Sequence, residues 1–463
     1  MAKLKRRQQV ELEIRKVAFG GKGIAYLDDY VVFVENSLPG DRVSARITKA
    51  KKNYAEARPI QLIQPSPLRR PAPCEHFGYC GGCKWQNVAY EQQLQFKKQH
   101  VEESLRHIGK VSAGAIHDPI PAPQLFGYRN KMEFSFAQER WLTPEELKNP
   151  EIKKGFALGL HVPNFYDRIL DINYCWLQSD LFNKILKFSK DYFKNSEIPI
   201  YHLHRKEGVL RYLVLRKSFA EQTVMVNVVT FRPAAEQLRD YAQKLTGEFP
   251  FVISVVNTIN SSYAQVATGE EHLVIHGAPV IHERLGRFRF EISPDSFFQT
   301  NSLQAEKLYE IVREYAAVKD CEVWDLYCGT GSIAIFLAGE AKTVTGFEII
   351  ENAVKDAERN AALNGVANCR FVAGDLRFNL RKFSAAKPQV LICDPPRSGM
   401  HPEVLKTLLD IAPERIVYVS CNPATMARDL EVLASEYAIL EVQPVDMFPH
   451  TYHIESVAKL EKK

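Results

Sequence analysis

The sequence contains no run of 18 apolar residues, so nothing in it reads as a membrane-spanning helix. Its basic start, Met1-Ala-Lys-Leu-Lys-Arg-Arg, has no apolar stretch behind it, which also argues against a secretory signal. The expected setting is the cytosol, with no membrane partner. Cysteine is sparse, nine in 463 residues, and that excludes the disulfide framework of short secreted chains. Internal repeats and low-complexity tracts are missing as well, which rules out solenoid and fibrous architectures.

What is present is an ordinary globular composition, 46% hydrophobic and 25% charged, over a length that implies two to three domains. The net charge of +5 conceals an asymmetry. Residues 1–70 hold 15 Lys and Arg against 7 Asp and Glu, so the rest of the chain is slightly acidic. A basic module ahead of a near-neutral body fits a phosphate-rich partner, although a solubilising tail would carry the same charge.

Residues 9–62 read as short strands with glycine turns: Val10–Ile14, Asp28–Val34 and Val43–Ile47, with turns at Phe19–Ala25 and Leu38–Asp41. Such spacing suggests a small closed barrel of the OB-like type that binds single-stranded nucleic acid. Pro65–Pro73 looks like a linker, and Gln86 to Ile108 like one amphipathic helix. Residues 126–285 are mostly strands, with one helix expected near 179–194. From about 286 strands and helices alternate, which implies a doubly wound α/β sheet with its ligand at the carboxyl ends of the strands. The expected units are 1–65, a β-barrel; 66–285, a mixed α+β central domain; and 286–463, the doubly wound domain.

In that last unit Asp325-Leu-Tyr-Cys-Gly-Thr-Gly331 joins a strand to a helix. It lacks the Gly-Lys-Ser/Thr of a phosphate loop and is shorter than the dinucleotide pattern. Glu348 closes the next strand, where an acid can accept from ribose hydroxyls. The ordered set of glycine turn, Glu348, Gly374-Asp375 and Asp394-Pro-Pro resembles the class I S-adenosylmethionine methyltransferases; a nicotinamide enzyme is the competitor. Two further strands end in Cys393-Asp394-Pro-Pro-Arg-Ser-Gly399 and Ser420-Cys-Asn-Pro423, so Asp394 and Cys421 share one sheet edge. Uracil C5 is a poor nucleophile until a thiolate adds to C6, and a strand-end cysteine near helix N-termini could have thiolate character. Alone, Cys421 could equally be a structural cysteine, Asp394 a turn cap, Gln299 a helix-cap residue and Glu455 a solvated tail residue.

Cys74, Cys80 and Cys83 offer three ligands of a four-ligand site. Zinc sites usually show paired Cys-x2-Cys, and a first spacing of five departs from that; four thiolates on an iron–sulfur cluster are the other option. His76 is a conceivable zinc ligand or a plain loop residue.

The Cys-x5-Cys-x2-Cys segment, Phe297-Phe-Gln299, Asp325–Gly331, Asp394-Pro-Pro-Arg-x-Gly399, Ser420–Pro423 and His453-Ile-Glu-Ser456 together resemble the RNA (uracil-5-)methyltransferase family over residues 9–457. The branch most similar has a TRAM barrel and an iron–sulfur cluster, as in bacterial 23S rRNA enzymes. The resemblance implies S-adenosylmethionine as cofactor, with Gln299, Tyr327, Glu348 and Asp394 lining the cofactor and target-base site. It implies Cys421 as nucleophile, Glu455 as the base that takes the C5 proton, and Cys74, Cys80, Cys83 and Cys175 as ligands of a 4Fe-4S cluster. Cytosine-5 enzymes typically carry Pro-Cys where this chain has Asp394-Pro395, and amino-group enzymes carry an aromatic where it has Arg397. The expected partner is RNA, rRNA ahead of tRNA, and the expected state a monomer. A catalytically idle RNA-binding assembly factor or cluster-based sensor is the non-enzymatic alternative. Tyr128–Lys131 and Arg205, Arg211 and Arg216 are candidate RNA contacts, and each could equally be an ordinary strand residue.

Overall fold

The computed structural model describes residues 4–28, 30–383 and 387–463. Residues 1–3 of the basic start, and Asp29 in the expected strand Asp28–Val34, lie outside the described residues.

The N-terminal strands β1 (Gln9–Glu13), β2 (Lys16–Val17), β3 (Gly23–Leu27), β4 (Tyr30–Val34), β5 (Arg42–Ala50) and β6 (Tyr54–Gln64) form one sheet in the order β1-β5-β6-β4-β3-β2. Alternation sends Leu12, Val32, Val34, Val43, Ala45, Ile47, Ala55 and Ala57 into a small core. Arg15 N–H donates to Ile24 O at 2.8 Å, joining the end of β1 to β3 and curling the sheet into a barrel. Asp41, fully buried, accepts from Leu38 N, Ser66 N and both ends of the Arg69 guanidinium, which ties the barrel to the linker.

The helix expected from Gln86 begins at Tyr90 and ends at Ser104 (α1), followed by a π-helical turn at Leu105–Gly109. It is not amphipathic in the usual sense, because Gln93, Lys97 and His100 point inward with Phe96 and Val101. β7 (Ala115–Ile116) follows.

The central sheet is mixed. β8 (Lys131–Ala137), β9 (Ala157–His161) and β10 (Ile169–Asp171) precede α2 (Asp180–Lys194), whose N-cap Ser179 accepts from Phe182 N. β11 (Leu210–Lys217), β12 (Val224–Thr230), α3 (Ala235–Glu248), β13 (Val252–Ile259) and β14 (Glu271–Gly277) complete it, in the order β10-β9-β8-β11-β12-β13-β14. The parallel pair β12–β13 requires a crossover, and α3, absent from the sequence reading, supplies it.

After the hairpin β15 (Ile281–Leu285) and β16 (Phe288–Ile292), α4 (Ser302–Ala316) leads into β17 (Glu322–Leu326), α5 (Ser332–Leu337), β18 (Thr343–Glu348) and α6 (Glu351–Leu363). Then come β19 (Cys369–Ala373), α7 (Leu376–Phe383), β20 (Val390–Cys393), α8 (Pro402–Ile411), β21 (Arg415–Ser420), α9 (Pro423–Leu433), β22 (Tyr437–Val445) and β23 (Glu455–Lys462). The sheet order is β19-β18-β17-β20-β21-β23-β22-β7, with β17 to β21 parallel and β23 inserted antiparallel beside β21. This is the α/β, doubly wound class I methyltransferase arrangement, and the order turns back at β17–β20, where such sheets bind ligands. α1 packs on this sheet through Val101 and Leu105, so segment 90–117 belongs spatially with the C-terminal strands.

Candidate active site

β20 and β21 are neighbours, with Cys393 opposite Tyr418, so their next residues, Asp394 and beyond Ser420 Cys421, leave the same edge. Ser420 pairs with Ser456 on antiparallel β23, which brings Glu455 alongside Cys421. This pairing between residues far apart in sequence moves Glu455 from tail to interior; only 5% of it is exposed.

The electrostatics follow from burial. Desolvation holds the Glu455 carboxyl well above the ordinary range, with Asp394 raising it further and Arg397 opposing. Burial pushes Asp394 up to about 6. Cys421 is pushed up to about 11, by burial first and then by Glu455, with Arg397 opposing through its charge and a hydrogen bond. The expectation of thiolate character at rest is therefore corrected. Asn422 caps α9 by accepting from Ala424 N at 3.1 Å, but the helix dipole does not outweigh a desolvated site holding two carboxyls.

Arg397 sits where the sequence reading saw only a missing aromatic. Its backbone carbonyl accepts from Asn422 Nδ2 at 3.0 Å and Thr425 Oγ1 at 3.2 Å, locking the Asp-Pro-Pro-Arg loop to the cysteine turn.

The glycine turn lies at the next strand ends. Tyr327, Gly329 and Gly331 all have positive φ, 64°, 53° and 77°. A Cβ at Gly331 would lie 2.9 Å from Ala357 and Phe371, so close approach and φ both require glycine there. The Glu348 carboxylate accepts from Gly329 N at 3.1 Å and Ile350 N at 2.9 Å. Glu348 thus shapes the turn. A cavity of about 370 Å³ opens among Tyr327, Phe347, Ile349, Asp375 and Pro396. Gln299 lies outside the sheet, just before α4, its backbone carbonyl held by Asn130 Nδ2 at 2.8 Å. The cap of α4 is Asn301 rather than Gln299; Asn301 Oδ1 accepts from Gln304 N.

The loop 446–453 leading to Glu455 is pinned from outside its own sheet. Lys97 Nζ donates to Asp446 Oδ1 at 2.5 Å and to Phe448 O at 3.0 Å, with both side chains fully buried. Tyr90 donates to the other Asp446 oxygen at 2.8 Å. Gln93 Oε1 accepts from His450 N at 2.8 Å, while His450 O accepts from Lys84 N and Trp85 N. Asn301 Nδ2 donates to Met447 O at 3.0 Å. Sequence reasoning missed this network, because a lysine mid-helix carries no sign of a buried partner some 350 positions on.

Cys74, Cys80, Cys83 and Cys175 line one cavity of about 450 Å³, so the structure gathers all four. Among the described residues no His, Cys, Asp or Glu group converges closely enough to hold a single metal ion, and a compact zinc site is not formed. Donors nonetheless point at the sulfurs: Gly82 N to Cys80 Sγ at 3.4 Å and Gln86 Nε2 to Cys83 Sγ at 3.1 Å. Backbone N–H groups of residues 76 and 77 face Cys74, and those of 177 and 178 face Cys175. Four thiols around one cavity with N–H donors at their sulfurs fit the environment of an iron–sulfur cluster. His76 Nε2 accepts from Asn173 N at 3.1 Å, the role of a loop residue.

Several expected RNA contacts are corrected. Arg211 is buried and donates to Asn260 O, Ser262 O and Ala264 O; Arg216 is buried and donates to Ser296 O. Later segments cover both faces of β11, so neither arginine is exposed. Tyr128 and Asn130 are buried, with Tyr128 donating to Pro449 O at 3.1 Å. Lys131 pairs with Glu133 at 2.6 Å on the wall of the four-cysteine cavity. Arg205 is exposed, but in a turn rather than on a strand.

A doubly wound sheet with cysteine and carboxylates at its edge, behind a small barrel, defines a class, and comparison with known proteins agrees. Residues 200–463 match the tRNA (uracil-5-)-methyltransferase family and residues 3–60 the TRAM domain. An uncharacterized RNA methyltransferase of Bacteroides thetaiotaomicron is 40% identical, over 96% of this chain and 100% of its own. One from Chlorobaculum tepidum is 43% identical, over 92% of this chain and 90% of its own. The crystal structure of Pyrococcus abyssi tRNA (uracil-54, C5)-methyltransferase with S-adenosyl-L-homocysteine superposes with a TM-score of 0.74 at 31% identity, covering 97% of this chain and 100% of that one. The chain belongs to the tRNA (uracil-5-)-methyltransferase family, with an N-terminal TRAM domain. No helix among the described residues is long and apolar enough to cross a membrane.

Proposed function

We propose that the chain transfers a methyl group from S-adenosylmethionine to C5 of a uridine in RNA, through a covalent bond between Cys421 and uracil C6. The observation that carries this reading is the convergence of Cys421, Asp394 and Glu455 from three adjacent strands. The cofactor supplies an electrophilic methyl on a positively charged sulfur. Gln299, Tyr327 and Glu348 bind it, Glu348 facing the ribose from the end of β18. Cys421 gives its proton to solvent and attacks as the thiolate, its sulfur bonds to C6, and the ring electrons move toward C5 and O4. C5 takes the methyl. Glu455 then accepts the C5 proton, the C5–C6 double bond reforms, and the thiolate leaves. Asp394 accepts from uracil N3–H, which selects uracil over cytosine. Arg397 stabilises the sulfur anion when it forms. Both acceptors must be ionised and burial raises both, so activity rises with pH, as Asp394 titrates at about 6 and Glu455 also above its ordinary range.

The units we assign are 1–65, the RNA-binding barrel; 66–285, the central domain with the cysteine site, of which 90–117 packs on the catalytic sheet; and 286–463, the catalytic domain. Cys74, Cys80, Cys83 and Cys175 hold a 4Fe-4S cluster that orders the barrel side of the molecule; methyl transfer needs no electron from it. The enzyme acts as a cytoplasmic monomer.

The RNA is 23S rRNA in the first reading, supported by the basic barrel together with the four-cysteine cavity. A tRNA uridine is the second, supported by the archaeal neighbour's activity on tRNA. Mapping 5-methyluridine in rRNA and tRNA with and without the protein separates them. Cofactor-dependent tritium release from [5-³H]uridine RNA tests the reaction itself, because an idle RNA binder releases none.

A further inference from the structure

A second opening, about 790 Å³, lies on the central sheet, and its walls share no residue with the site around Cys421. Its chemistry is aromatic and cationic. Tyr166 is 64% exposed at its rim. The Arg168 guanidinium lies 3.8 Å from the Phe165 ring centre. Arg168 and Arg205 line it without a carboxylate partner among the described residues, whereas Arg140 and Lys154 are paired with Glu146 and Glu139.

Inside, Tyr201 stacks on Phe231 with ring centres 4.8 Å apart, and Arg211 sits 4.9 Å from the Tyr201 ring. Tyr201 is only 9% exposed, yet its hydroxyl has no hydrogen-bond partner. A second wall residue, His161, bonds Ser135 Oγ through Nε2 and faces the backbone of Phe165 and Tyr166. A buried polar atom without a partner is costly unless a ligand or solvent satisfies it. His161 also lines the four-cysteine cavity, whose other lining includes Thr300, next to Gln299. His161 thus joins the groove to the four-cysteine cavity.

We propose that this groove binds single-stranded RNA flanking the modified uridine, with a base stacked on Tyr166, a base edge at the Tyr201 hydroxyl and phosphates at Arg168 and Arg205. Unneutralised guanidiniums beside an open aromatic face suit a polyanion carrying flat bases. A duplex, whose bases are stacked away, presents no such face. The inference rests on the reading of the chain as an RNA-modifying enzyme and is indifferent to the chemistry at Cys421.

The test uses the full chain with fluorescein-labelled oligouridylate, read by anisotropy, and a duplex RNA as competitor. Tyr166→Ala and Arg205→Ala should each weaken single-strand binding about tenfold, and Arg205→Ala should lower the salt slope by about one. Tyr201→Phe separates ligand from structure: removing an unpartnered hydroxyl should leave the melting temperature unchanged or raised, while binding falls several-fold. With bulk RNA from cells lacking the protein, KM should rise in all three variants and kcat should hold. Wild-type affinity retained by all three, or duplex competing as well as single strand, overturns the groove. A wild-type chain that binds neither RNA overturns instead the reading on which the groove rests.

Discussion

Cys421 and the four-cysteine cavity present the same side chain in opposite company. Burial raises the thiol in both places, to about 11 at Cys421 and to about 11 at Cys80. Burial alone therefore does not tell a nucleophile from a ligand. The neighbours do. Around Cys421 stand groups that take, hold or offset charge, Glu455, Asp394 and Arg397. Around Cys74, Cys80, Cys83 and Cys175 stand one another and N–H donors aimed at sulfur. One arrangement suits proton transfer, and the other suits thiolates fixed on metal.

The sharpest way to break this contrast is Cys421→Ala. Turnover should fall by about 10⁴-fold or more while cofactor affinity, measured calorimetrically, stays near normal. Activity that survives in this variant removes the covalent step. Glu455→Gln should slow release of the C5 proton by about 10²–10⁴-fold and accumulate a protein–RNA adduct on denaturing gels. Normal turnover there assigns the proton to another group.

The buried Lys97–Asp446 pair separates scaffold from chemistry. Lys97→Met alone strands a buried carboxylate and should cost about 3–5 kcal/mol in denaturant unfolding, whereas Lys97→Met with Asp446→Leu should cost much less. Equal losses in the two would mean that the pair is not what holds loop 446–453.

Asp394→Asn should lose activity yet gain stability. The folded-state value of about 6 lies above the ordinary 3.8, so the stabilisation Asp394 offers is complete below the unfolded value and is lost as pH rises through about 6. Asp394 is partly exposed by area, so the variant should gain only about 1–2 kcal/mol at about pH 8 and nothing at about pH 3. The smallest effect on chemistry belongs to the other setting. Cys83→Ser should lose bound iron and melt lower, while adduct formation per folded molecule stays within about threefold.

The C-terminal sheet was largely legible in the sequence. β18 and β21 end at Glu348 and Ser420, the strand ends read from the sequence, because parallel strands buried on both faces stand out as largely apolar runs. The central sheet was less so. Helix α3 hid between two strong strands, and Arg211 and Arg216 looked exposed because the segments covering them lie 49 to 80 positions later. Among site residues, Asp394 and Cys421 could be placed at one sheet edge from their strand-end positions. Glu455 could not, since only the pairing of β23 with β21 brings it in. The raised Cys421 thiol was also invisible, being set by two carboxyls and the depth of the site.

The most direct measurement uses RNA with 5-fluorouridine at the modified position, incubated with the full chain and S-adenosylmethionine and analysed by peptide mass spectrometry. Fluorine on C5 cannot leave as a proton does, so the intermediate should persist, with the methylated fluorouracil attached to Cys421 and to no other cysteine. A methylated base with no protein attached, or an adduct on a different cysteine, would contradict the account.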